Sequence, residues 1–210
     1  MVKIDRTTFE SNKTVETLKN VRPPLSWNGE KPFSWRVMID GRGFNVKKQL
    51  LPILLKVTKC HCAFCDLYPL STDFFDIPIE HFMPKSKNPE KAYSWDNLFP
   101  VCNGCTQKKG EKFDDLLLKP DDPNYDFDSN FMVTGEGLIK CKMEKRKSPA
   151  SITIDIYKLN RGTLLSERKR WIRDFPKINP QNPDEYPFRF LIPIVCKYKQ
   201  PDDIINKYVS

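Results

Sequence analysis

The chain has 210 residues, 39% of them apolar, 12% aromatic and 30% charged, which is enough hydrophobic material for the core of one compact unit and too much for a disordered polyelectrolyte. No run approaches the roughly 18 apolar residues of a membrane helix, and the opening MVKIDRTTFESNK has no apolar stretch behind its charges, so a cytoplasmic protein with no membrane contact is expected. Thirty-five Lys and Arg against 27 Asp and Glu give a formal charge of +8, a balance that favours polyanionic partners without singling one out.

Residues 1–35 are polar, contain Pro23-Pro24 and carry the isolated aromatics Trp27, Phe33 and Trp35, a pattern that predicts an irregular arm. From Val46 to Val57 the apolar positions Leu50, Leu51, Ile53, Leu54 and Leu55 predict a buried helix, with Pro52 near its first turn or kinking it. Phe74 to Phe82 alternates in part and reads as a strand, with Leu98 to Val101 as its partner. A turn around Gly104 and Thr106 to Lys109 then leads to a helix expected over Phe113 to Leu118, giving the order strand, strand, helix. Residues 120–130, rich in Asp, Pro and Asn, read as a loop, followed by a hairpin around Thr134-Gly135-Glu136-Gly137. Beyond Ile152, Ile154 and Ile156, a helix over about Thr163 to Phe175 places Leu164, Leu165, Trp171, Ile172 and Phe175 on one face. Arg168, Lys169, Arg170 and Arg173 ride with it as a solvated face or, as a lesser reading, a phosphate-contacting stripe. The apolar run Phe188 to Val195 reads as a late strand or a docking segment.

Charge is unevenly distributed. Basic and acidic residues number ten and five in 1–50, nine and eleven in 51–125, and sixteen and eleven in 126–210, so the positive excess flanks a slightly acidic middle.

That middle holds five of the seven cysteines, as Cys60-His61-Cys62-Ala63-Phe64-Cys65 and Cys102-Asn103-Gly104-Cys105. Two C-x-x-C pairs can each fold into a tight knuckle and together close a tetrahedral zinc site, and in a reducing compartment disulfides would not persist. Cys60 or His61 can displace a member of the first pair, but the spacing favours Cys62, Cys65, Cys102 and Cys105 as ligands. Cys141 and Cys196 read as ordinary buried thiols. Four thiolates leave no open coordination position, so such a site holds a fold together and cannot activate water. Chemistry has to come from elsewhere. Between the knuckles stands Ile79-Glu80-His81-Phe82-Met83-Pro84, with one of only two histidines in the chain. A carboxylate beside an imidazole supplies a hard oxygen ligand for Mg2+ and a base with an ordinary pKa of about 6.5.

The succession Cys62-x-x-Cys65, Ile79-Glu80-His81-Phe82-Met83-Pro84-Lys85-Ser86, Trp95-Asp96-Asn97-Leu98 and Cys102-x-x-Cys105-x-x-x-Lys109-Gly110 resembles the HNH endonuclease family in order and spacing, over about residues 60–113. Ala92-Tyr93-x-Trp95-Asp96-Asn97-Leu98, Thr153-Ile154, Leu159-Asn160-Arg161, Leu164-Leu165 and Arg168 extend the likeness, over about residues 50–175, to the short HNH proteins of anti-phage systems, the PtuB family of Septu and its retron-associated relatives.

The resemblance implies an α+β fold with a ββα-metal (HNH, His-Me finger) core and a structural four-cysteine zinc site, flanked by helices and the irregular N-terminal arm. The implied divisions are an arm at 1–49, possible ground for partner docking, a nuclease domain at 50–175, and a tail at 176–210 that packs on the domain or on a partner. By the same resemblance His81 would be the general base, Glu80 would hold a catalytic Mg2+ or Mn2+, and Asn97 would brace the loop that aims His81. The expected activity is phosphodiester hydrolysis, on DNA ahead of RNA, by the effector subunit of a defence complex with a PtuA-like ABC-type ATPase. One position departs from the pattern: Thr106 stands where the family has a His or Asn metal ligand, so Thr106 is the candidate second ligand through its hydroxyl or a water, with Asn103 and Gln107 as substitutes. The contrasting reading is a non-catalytic zinc-ribbon module that binds nucleic acid or serves as an adaptor.

Overall fold

A computed structural model describes residues 1–20, 27–28, 32–71, 73, 76–143, 147–174 and 182–197. Pro23-Pro24, Phe74, Phe75, Phe175 and most of the 176–210 tail lie outside the described residues.

The N-terminal segment is more regular than its polar sequence suggests. A 3-10 turn at Thr7–Phe9 leads into helix α1 (Lys13–Asn20), which corrects the expectation of an irregular arm. Val15 carries the correction, because one fully buried apolar residue facing the next helix is enough to seat two turns of otherwise polar helix. Strands β1 (Arg36–Ile39) and β2 (Arg42–Asn45) form an antiparallel hairpin closed by Asp40 and Gly41, both at positive φ. Asn45 then caps helix α2 (Val46–Thr58), its Oδ1 accepting from the Lys48 N–H at 3.0 Å. Helix α2 is as expected, with Val46, Leu50, Leu51, Ile53 and Leu54 buried and Pro52 inside it on the exposed side.

Strand β3 (Ile79–His81) pairs antiparallel with β4 (Leu98–Pro100), with Glu80 opposite Phe99 and His81 opposite Leu98. Helix α3 follows at Asn103–Lys109. The order strand, strand, helix holds, but the helix sits earlier than the expected 113–118, which is not helical. The second knuckle launches it at Cys102 and Gly110, at φ 51°, ends it before Phe113 is reached.

Asp126 caps a short helix, α4 (Phe127–Asn130), at the end of the expected loop, and β5 (Phe131–Val133) and β6 (Ile139–Cys141) form the expected hairpin. Helix α5 (Pro149–Tyr157) starts with Ser148 and Ser151 capping each other's backbone, and α6 (Gly162–Asp174) follows. Leu164, Trp171 and Ile172 are buried on α6, as the pattern predicts. So is Arg168, with no exposed surface, which corrects its placement on a solvated or phosphate-contacting stripe. Its Nε donates to Gly137 O at 2.6 Å, and its Nη2 donates to Leu159 O at 2.9 Å and Asn160 Oδ1 at 3.1 Å, so the guanidinium ties the hairpin to the α5–α6 turn. The last apolar run is a 3-10 turn at Arg189–Leu191 and helix α7 (Ile192–Lys197) rather than a strand.

These elements make an α+β fold with three two-stranded sheets among the described residues. The β3–β4 ribbon lies between two hydrophobic clusters and is buried throughout. Ile79 and Leu98 enter the cluster built on α2, with Val15, Ala92, Tyr93 and Trp95. Phe82, Phe99 and Val101 enter the larger cluster formed with both knuckles, α5, α6 and α7. A ribbon covered on both faces needs apolar residues on both, so a polar side chain on it stands out.

Candidate functional site

The four-cysteine centre. Sγ atoms of Cys62, Cys65, Cys102 and Cys105 all lie within 4.8 Å of one another, all four side chains are buried, and none is in a disulfide. Cys65 and Cys102 are 3.7 Å apart, sulfur to sulfur. Thiolates about 2.3 Å from a tetrahedral zinc stand about 3.8 Å from each other, so the donor set fits that ion in chemistry and in size. Cys102 N–H donates to Cys62 Sγ at 3.3 Å, the backbone-to-sulfur bond that a knuckle supplies to a thiolate. Hydrogen bonds from Cys105, Cys62 and Cys65 push the Cys102 thiol below its ordinary range.

His61 and Cys60 stay out of this centre. The His61 ring is buried, with Nε2 donating to Asp184 O at 3.1 Å and Nδ1 3.2 Å from Asp66 Oδ1, while Cys60 is exposed. Of the two remaining cysteines, Cys141 is half-buried and Cys196 is exposed, which corrects their reading as buried thiols.

A residue that motif spacing leaves unassigned completes the surroundings. Arg161, at the turn between α5 and α6, donates from Nη2 to Cys102 Sγ at 3.5 Å and to Cys105 Sγ at 3.7 Å, and from Nη1 to Cys105 Sγ at 3.7 Å and Tyr157 O at 3.1 Å. Burial pulls its guanidinium down, and the sulfurs of Cys105, Cys65 and Cys102 more than reverse this, leaving it raised. Gly104 makes the approach feasible, since a Cβ there would stand 2.7 Å from Arg161 Nη2.

The Glu-His site. Because β3 runs through His81, Glu80 and His81 project to opposite faces of the ribbon. Glu80 faces α3, where Thr106 and Lys109, three residues apart on one helical face, meet it. Lys109 Nζ donates to Glu80 Oε1 at 3.1 Å, and the Thr106 hydroxyl donates to Glu80 Oε2 in a short hydrogen bond. Burial raises the Glu80 carboxyl, outweighing the opposing charge of Lys109 and the hydrogen bond from Thr106. Thr106 is therefore at the site, whereas Asn103 and Gln107 are exposed on α3. Lys109, fully buried, is a member that sequence reading treated only as part of a motif.

His81 lies on the other face among aromatic rings. It stacks on Trp35 with centroids 5.7 Å apart at 16° and meets Phe33 edge-on at 5.3 Å, and Phe33 in turn stacks on Tyr93. Burial lowers its pKa to about 4, with the positive charges of Lys85 and Lys109 pushing the same way, so the ring is neutral near pH 7. His81 Nε2 stands 2.9 Å from Ala92 O. A carbonyl can only accept, so the single proton of the neutral ring sits on Nε2, and Nδ1 keeps its lone pair with no protein partner among the described residues.

Asn97, in the short turn at Trp95–Asn97 before β4, is 2% exposed and commits its amide to backbone. Its Oδ1 accepts from Met83 N at 2.8 Å, and its Nδ2 donates to Met83 O at 3.1 Å and Lys91 O at 3.0 Å. It thereby stitches the chain that leaves His81 to the turn bearing Ala92, the residue that fixes the His81 tautomer.

Beside α3 opens a cleft of about 870 Å³ lined by Lys87, Lys108, Lys109, Lys112 and Lys147, together with the acidic Glu111, Asp114 and Asp155. No helix of the described residues is long and apolar enough to cross a membrane.

Over 134 residues the chain is 28% identical to the Septu protein PtuB of Bacillus thuringiensis, a match covering 63% of this chain and 49% of that protein. Over 122 residues it is 31% identical to the "Retron Vc95 putative HNH endonuclease" of Vibrio cholerae serotype O1 biovar El Tor, covering 53% of this chain and 57% of that protein. The chain thus spans about half the length of the curated relatives it matches. No protein-family model matches it. Its relatives are HNH-like proteins close to PtuB, in agreement with the resemblance carried by the motifs.

Proposed function

We propose that this relative of PtuB is a metal-dependent HNH-type endonuclease, the effector subunit of an anti-phage defence complex with a PtuA-like ABC-type ATPase. The observation that carries the reading is the His81 ring: neutral, with its proton on the Nε2 that faces Ala92 O and its Nδ1 without a protein partner among the described residues.

In this reading β3, β4 and α3 form the ββα core, and Cys62, Cys65, Cys102 and Cys105 hold a structural zinc that ties the segment before β3 to the start of α3. His81 Nδ1 takes the proton from an attacking water, and the water oxygen bonds to phosphorus as the bond to the 3′ oxygen breaks. That oxygen leaves with a proton from solvent, giving 5′-phosphate and 3′-hydroxyl ends. Asn97 positions the His81 ring through Met83 and Lys91 and touches no reacting atom. The hard oxygens of Glu80 and Thr106 suit a divalent cation such as Mg2+ or Mn2+, which when bound offsets charge developing on the phosphate. Lysines of the cleft beside α3 hold flanking phosphates of DNA or RNA.

The test is incubation of the purified chain, with and without the neighbouring ATPase, with plasmid, linear DNA and tRNA in Mg2+ or Mn2+. Cleavage that disappears in His81→Ala is expected. One observation favours the non-catalytic adaptor instead, namely that both Glu80 oxygens are already engaged by Thr106 and Lys109. Binding of nucleic acid without cleavage under every condition would decide for the adaptor.

A further inference from the structure

Lys109 is the least expected occupant of the Glu80 site. Its side chain has no exposed surface, and its ammonium sits between Glu80 Oε1, at 3.1 Å, and Gly110 O, at 3.3 Å. With the Thr106 hydroxyl on Oε2, both oxygens of the one carboxylate at the site are committed to groups of this chain. A divalent cation reaching Glu80 would arrive within contact distance of a positive charge that already neutralises it. A divalent cation and an ammonium about 4 Å apart repel with twice the energy of two unit charges, about a thirtyfold loss of affinity in a water-like medium and more at the lower effective dielectric of a site this buried.

Lys109 also has somewhere to go. It is the last residue of α3 and is among the residues that line the cleft of about 870 Å³ beside that helix. A lysine carries its charge on a flexible four-carbon stem, so movement of the ammonium off Glu80 and toward the cleft is the displacement the site would need.

We propose that Lys109 is an internal counter-cation that competes with the divalent cation for Glu80, so that the free chain binds metal weakly at this site until the ammonium is drawn away. The proposal rests on the reading of Glu80 as a cation ligand and adds to it a control point that holds the centre in a low-affinity state. It also explains how a site with only one carboxylate stays satisfied while buried, since an uncompensated carboxylate there would be costly.

The experiment is a titration of the full chain with Mn2+ alone, with free Mn2+ followed by electron paramagnetic resonance. The wild type should bind weakly at this site, Lys109→Met should bind at least about tenfold more tightly, and the gain should vanish in Glu80→Gln/Lys109→Met. Lys109→Arg, which keeps the charge, should remain as weak as wild type. If Lys109→Met does not fold, Lys109→Gln removes the charge while keeping a donor and carries the same expectation. The proposal is overturned if neither neutral variant binds more tightly than wild type, or if the gain survives Glu80→Gln. Nucleic-acid cleavage separates the two layers. If Glu80→Gln abolishes cleavage while the neutral variants show no gain, only the competition is wrong; if Glu80→Gln leaves cleavage intact, the reading of Glu80 itself falls.

Discussion

Arg161 lays its guanidinium against two sulfurs of the four-cysteine cluster, 3.5 Å from Cys102 Sγ and 3.7 Å from Cys105 Sγ. Four thiolates around a zinc ion carry a net double negative charge, and Arg161 is the cation that offsets part of it. Outer partners of this kind are worth about 10- to 100-fold in metal affinity. We therefore predict that Arg161→Met loses zinc to a competing chelator at concentrations that leave the wild type loaded. Gly104→Ala should do the same, because its Cβ would collide with Arg161 Nη2. Unchanged zinc retention in both variants would remove Arg161 from the metal's surroundings.

Zinc removal should cost more than local order. The centre joins the segment after α2 to the start of α3, and Cys62, Cys65, Cys102 and Cys105 all belong to the larger hydrophobic cluster. A chelator, or Cys102→Ala, is expected to lower the melting temperature and to expose Phe64 and Phe99, read out by circular dichroism and by dye binding. A soluble Cys102→Ala protein that stays folded and zinc-loaded would show the four-cysteine assignment to be wrong.

The state of His81 can be observed directly, because the chain has only two histidines. Its pKa is about 4 in the folded protein, against about 6.5 for an exposed histidine. Protons therefore bind the unfolded chain first. The stability contributed by a neutral His81 is complete above about pH 6.5 and is lost as the pH falls toward about 4. Imidazole resonances in a 15N-labelled sample should show one ring titrating near 4 and, at pH 7, as the Nε2-protonated tautomer. A His81 midpoint near 6.5 would contradict the burial that defines the site.

The cationic residues of α6 should separate sharply. Arg168→Met removes a guanidinium whose bonds join Gly137, Leu159 and Asn160, leaving buried acceptors without donors, at a cost of about 2–4 kcal/mol by denaturant unfolding. Lys169→Ala and Arg170→Ala, on the exposed side, should stay within about 0.5 kcal/mol of wild type. Equal effects from all three would mean that Arg168 is not in the core.

The parts of this molecule legible in the sequence are those written in local spacing. The two C-x-x-C pairs, the strand, strand, helix order around Glu80, His81 and Asn97, helix α2 and the hairpin at Thr134 to Gly137 all follow from turn chemistry, periodicity or ligand geometry. The β1–β2 hairpin carries a local signal of its own in Asp40-Gly41, a dipeptide that suits a two-residue turn, although the strands beside it are too short to announce themselves. What stayed hidden depends on partners distant in sequence. Arg168 reads as a surface charge and Lys109 as a motif residue without a role, because long cationic side chains are usually exposed, and only Gly137 O and Glu80, 31 and 29 residues away, make their burial tolerable. Helix α1 escapes notice because a single residue, Val15, anchors it. The helical end at Ile192–Lys197 is disguised by its β-branched residues, which favour a strand until tertiary contacts decide otherwise.

Arg6 bears on how such a protein can be rebuilt. Its guanidinium lies over the rings of Trp95 and Phe99, donates to Trp95 O at 2.8 Å and Leu98 O at 2.9 Å, and pairs with Asp121. Those two carbonyls bracket Asn97, so the turn that braces His81 is gripped from outside by a residue 89 to 92 positions upstream. The Glu-His segment is consequently no portable cassette. A chimaera that imports residues 60–113 into a related scaffold has to bring an arginine to the position of Arg6, and a library that randomises the first ten residues will select on the shape of a turn whose residues it leaves unchanged.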